Sequence, residues 1–89
     1  MVKLKRVVLD VLKPHQPSAL EFCREIASLG DDYRVRLSVD EMDENTQTLQ
    51  LEVSGDAIEL APIEAAIASL GASVHSIDMV EVQNHGDET

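Results

Sequence analysis

"KRVVLDVLKPHQPSALEF", residues 5–22, contains the change of period that decides the fold. Val7, Leu9 and Val11 alternate with Arg6, Val8, Asp10 and Leu12, so a strand here has one apolar face and one face that mixes apolar and charged groups. Pro14 ends the strand. Beyond Pro17, Leu20, Cys23, Ile26 and Ala27 recur at helical spacing with Glu21, Arg24, Glu25 and Ser28 between them, which predicts a helix from Ser18 to Leu29. Ser18 followed three residues later by Glu21 is the S-x-x-E pattern of a capping box, and Gly30 is a natural helix stop. Ser18 therefore reads as a helix cap. No base–orienter pair stands near it to make it a nucleophile.

The pattern then returns to period two. In "YRVRLSVDEM", residues 33–42, Val35, Leu37 and Val39 alternate with Arg34, Arg36, Ser38 and Asp40. A polar turn at "DENT" leads into "QTLQLEVSG", where Leu49, Leu51 and Val53 alternate with Gln50 and Glu52, so the pair predicts a hairpin. Ile63, Ala66, Ile67 and Leu70 mark a second helix closed by Gly71, with its start near Ala61 so that Pro62 falls in the first turn. "SVHSIDMVEV", residues 73–82, is a last strand, and residues 83–89 form a polar tail expected to fray.

The order βαββαβ predicts an α+β, ferredoxin-like split βαβ fold: a four-stranded antiparallel sheet with both helices on one face. One domain is expected over residues 1–82. The repeated "ASLG" at residues 27–30 and 68–71 fits the pseudo-symmetry of that fold, not a tandem array.

Composition limits the functions available. With 89 residues there is room for one modest core, and with 44% hydrophobic residues but one Phe, one Tyr and no Trp that core is aliphatic. A formal charge of −10 and the near-absence of stacking rings disfavour nucleic acid and anionic lipid as partners. The lone Cys23 allows no internal disulfide or thiolate metal cluster, which fits a reducing cytoplasm, and no run of about 18 apolar residues is present to span a membrane. Cys23 on the apolar helix face reads as a small core residue.

The sheet face without helices is where a site is expected. If Ile77 and Met79 turn toward the helices, Ser76, Asp78, Val80 and Val82 share the open face with Asp10. Asp10 and Asp78 on one surface are candidate ligands for a hard cation, calcium or magnesium, or a charged spot inside a subunit interface. The competing reading leaves them solvated or bonded to Arg6, Arg34 or Arg36. His15, between two prolines in a loop at a strand end, is a candidate ligand or acid/base group, against an exposed turn residue as the plainer reading. Asp40 and Asp43 in "DEMDEN" have the oxygen density a cation takes, without the spacing or glycine of an EF-hand. His75, in a strand with Ile77 and Met79, reads first as a core or interface histidine and second as a ligand. The chain has no glycine-rich phosphate loop, CxxC, HExxH or GxSxG.

"KRVVLDVLKPHQPSALEF", together with "HSIDMV" at residues 75–80, resembles the small, mainly archaeal family known as domain of unknown function 211. The matching positions are Leu9, Asp10, Leu12, Lys13, Pro14, His15, Pro17 and Ser18, and then His75, Ser76, Ile77 and Asp78. The resemblance implies a ferredoxin-like domain that forms homo-oligomers. The acidic hairpin and tail depart from it. The expectation is a homo-oligomeric binding or regulatory module holding a divalent cation at the open face or a subunit interface. Two alternatives stand beside it: a small-molecule sensor with its ligand at the dimer seam, and a small enzyme using His15 with Asp10 as partner.

Overall fold

The computed structural model describes residues 1–86. The elements run β1 (Val2–Pro14), α1 (Ala19–Ala27), β2 (Arg34–Met42), β3 (Thr46–Ser54), α2 (Leu60–Ser69) and β4 (Ser73–Asn84). The strands form one antiparallel sheet in the order β2-β3-β1-β4, the ferredoxin-like arrangement. The central strands are the ones with the strictest alternation. Val7, Leu9 and Val11 of β1 lie opposite Val53, Leu51 and Leu49 of β3, and all six are fully buried.

The helices close this apolar face. Phe22 and Ile26 of α1 and Ile63 and Ile67 of α2 are fully buried against it. Ser18 caps α1 by accepting from the Glu21 amide at 3.2 Å, while the Glu21 carboxylate meets Arg24. The helix face differs from the expected one by a rotation: Leu20 points to solvent at 60% exposed, and Phe22 takes the core position. Cys23 is half-buried, and burial pushes its thiol pKa up.

The two "SLG" glycines serve different ends. Gly71 follows α2 with φ 85°, and the amides of Gly71 and Ala72 donate to the carbonyls of Ala68 and Ile67. This is a Schellman closure that needs a left-handed residue. Gly30 has no such backbone. A Cβ there would run into the Tyr33 ring, whose hydroxyl in turn accepts from the Glu59 amide at 2.9 Å, at the start of α2. Gly30→Ala is expected to displace that ring and cost about 1–3 kcal/mol in chemical denaturation, by overpacking. A loss well under this would mean the ring is free to move aside.

β4 runs beyond the expected end. Gln83 and Asn84 pair with Lys3 and Val2, and the His85 amide donates to the Met1 carbonyl, so the start of the anticipated tail belongs to the sheet. The remainder of that tail, residues 87–89, lies outside the described residues. No helix among the described residues is long and apolar enough to cross a membrane.

Candidate functional site

Register makes the open face a set of rows across the strands. Residues paired across neighbouring strands project to the same side, so Ser38, Gln50, Asp10 and Ser76 form one polar row spanning all four strands. Val8 and Met79 lie in the next row, and Leu12 and Ser73 in the row on the other side. Asp10 thus sits in the middle of a polar stripe between apolar neighbours. It is half-buried and has no ion-pair partner among the described residues.

The expected arginine partners are engaged elsewhere or stand in other rows. Arg6 binds Glu81 at 2.9 Å and Glu52 at 3.3 Å, and Arg34 and Arg36 lie opposite Ser54 and Glu52. The Glu81 carboxylate, through its hydrogen bond and its charge, raises the Arg6 pKa.

Bulges in the β1–β4 pairing change the expected facing of β4. Val8 pairs with Met79 but Leu9 with Ile77, which leaves Asp78 as the extra residue; Asp10 pairs with Ser76 but Val11 with Val74, which leaves out His75. Met79 therefore joins the open face, whereas Val80, opposite the buried Val7, lies on the helix side with Ile77. A third shift between Leu4 and Arg6 puts Val82 opposite Leu4, which packs on the core, so Val82 is also on the helix side. Strict alternation fails here because each bulge adds a residue to one strand only.

Asp78 nevertheless stays with the polar row: its Oδ1 accepts a 2.7 Å hydrogen bond from the Ser76 hydroxyl. Ser76 is thereby the link between the two candidate aspartates, opposite Asp10 and bonded to Asp78. His75 is exposed, not a core residue. No cluster of three or more His, Cys, Asp or Glu able to hold a metal occurs among the described residues, so no third such side chain joins the pair there.

The other candidates form a separate, structural group. The Asp43 carboxylate accepts from the amides of Asn45 at 2.9 Å and Thr46 at 2.8 Å and from the Thr46 hydroxyl, which closes the β2–β3 turn. The Thr46 and then the Asn45 amide hold its carboxyl below the usual carboxylate range. His15 Nε2 meets the Asp43 backbone carbonyl at 2.8 Å, so the loop after β1 is tied to that turn. Asp40 is exposed on β2.

Lys13 stands apart from the candidate site residues. It is the one fully buried charged residue among those described, and its ammonium donates to the carbonyls of Pro14, at 2.8 Å, and Pro17. The Gln16–Pro17 bond in this loop is cis. Burial lowers the Lys13 pKa, and the ammonium lies 6.0 Å from the centre of the Phe22 ring. A lysine two residues beyond Val11, on the apolar side of the alternation, was the signal in the sequence.

The family model for domain of unknown function 211, described as "Uncharacterized ArCR", matches residues 5–85. The chain belongs to that family. A family relative, an uncharacterized protein of the archaeon Methanocaldococcus jannaschii, is 35% identical over 77 residues, covering 86% of this chain and 79% of that protein. The matched range takes in the polar row, the His15 loop and nearly all of β4.

Proposed function

We propose that this member of the family is a self-assembling binding module whose protomers join along β4 and whose Asp10–Ser76–Asp78 group holds a divalent cation beside that seam. The observation that carries the reading is the character of β4. It is an edge strand of 12 residues, and Ile77, Val80 and Val82 on its helix side are 48%, 55% and 52% exposed. The helices are only 9 and 10 residues long and cover the central strands, which leaves these side chains uncovered. An exposed edge with free backbone donors and acceptors and apolar side chains is a template for another strand. A second copy supplies such a strand with matching groups.

The shift from the expected interface is one of place: it centres on the helix side of the β4 edge, with Met79 adjoining it from the open face. The cation follows from charge. Protomers of formal charge −10 repel one another, and Asp10 is half-buried with no ion-pair partner among the described residues. Calcium takes 6–8 oxygens in all, so two carboxylates and a hydroxyl from one protomer need water or a neighbouring protomer to complete the shell.

Equilibrium dialysis of the wild type against calcium and magnesium tests the cation. Saturable uptake by the wild type, weakened at least tenfold in Asp10→Asn, is expected; equal uptake by both proteins would remove Asp10 from the site. His15 as an enzymatic base gains no support from its bond to the Asp43 carbonyl.

A further inference from the structure

We propose that a second site, at the other end of the open face from the Asp43 turn, binds a small oxyanion, a phosphate or carboxylate group, between Arg34 and Arg36. The chain uses its seven Lys and Arg residues unequally. Lys3 and Lys5 both bind Asp56, Arg6 binds Glu52 and Glu81, and Arg24 binds Glu21. Lys13 is buried on carbonyl oxygens. Arg34 and Arg36 are left exposed with no carboxylate within ion-pair distance among the described residues, although the chain carries 17 Asp and Glu.

These two stand on one side of β2, about 7 Å apart at Cα from the rise of a strand. Arg34 lies opposite Ser54, and Ser54 lies opposite Arg6, so a small hydroxyl residue separates two guanidinium-bearing positions about 10 Å apart. With Gly55 next to it, Ser54 contributes to an open groove of about 320 Å³ whose lining includes Arg6, Arg34, Arg36 and Glu52.

Both carboxylates in the groove, Glu81 and the Glu52 that lies opposite Arg36, are already engaged by another cation. Arg6 bridges Glu52 and Glu81 with hydrogen bonds at 3.3 Å and 3.0 Å, and Lys5 is held by Asp56. What stays available is the pair of guanidinium forks and the Ser54 hydroxyl. Planar forks of this kind match the oxygens of carboxylate and phosphate, whereas a lone lysine offers only a point charge. In a chain that repels anions at long range, such a local site selects them by geometry.

Titration of the full-length protein by amide NMR, with inorganic phosphate and with succinate at constant ionic strength set by sodium chloride, tests this. Saturable shifts at residues 34, 36, 54 and 55 are expected with at least one of the two, and which of them saturates identifies the oxyanion. Arg34→Gln combined with Arg36→Gln, both exposed positions, should weaken that binding at least tenfold while the spectrum stays that of a folded protein. Shifts that never saturate and equal those from chloride, or that persist in the double variant, would overturn the proposal. Neither outcome bears on assembly or on the aspartate site.

Discussion

Phe22→Ala is expected to lose about 3–5 kcal/mol of stability, the usual cost of removing a buried phenyl ring. Phe22 is the chain's single phenylalanine and is fully buried. It fills the space between α1 and a core otherwise made of Val, Leu, Ile and Ala side chains. Few neighbours are large enough to collapse into the gap. The same ring lies under the buried Lys13 ammonium, so its loss also weakens the packing of the loop that Lys13 holds. A domain of this length is stabilised by roughly 4–13 kcal/mol, and the variant should stand near its threshold. Urea unfolding followed by circular dichroism measures this; a loss below about 1 kcal/mol would show that the helix layer is not anchored at Phe22.

The second large effect is expected at the β4 edge. Val80→Lys places an ammonium where a neighbouring protomer would bury a valine, and an unpaired charge desolvated at an interface costs several kcal/mol. Association should weaken at least a hundredfold, equivalent to about 2.8 kcal/mol. The fold should survive, because Val80 is 55% exposed in the protomer and a lysine there reaches solvent. Sedimentation velocity reads the loss of assembly, and an unchanged thermal midpoint at low protein concentration separates it from unfolding. Undiminished assembly of Val80→Lys would place the seam elsewhere.

Most of the architecture was legible because the core strands obey one rule. Val7, Leu9, Val11, Leu49, Leu51 and Val53 alternate without interruption, and the structure buries every one of them. β4 resisted the same reading for a physical reason. Its bulges at Asp78 and His75 shift the pairing twice, so side chains expected on one face appear on the other. The α1 face was misjudged by a rotation, since Leu20 and Phe22 are both apolar and only packing decides between them. Asp10 and Asp78 could be placed on one surface from strand order, but the position of Ser76, opposite Asp10 and bonded to Asp78, depends on the bulged register. Lys13 was missed because lysine is so seldom fully buried that its place on the apolar side of β1 did not register as a signal.

Self-assembly along β4 is the central claim, and the mass in solution tests it most directly. Light scattering on a sizing column, run on the wild type first in chelator and then in millimolar calcium, should give a multiple of the 9.8 kDa protomer with the metal present. The larger species should weaken when the metal is removed. A mass of 9.8 kDa in both conditions, at concentrations up to the millimolar range, would contradict the account.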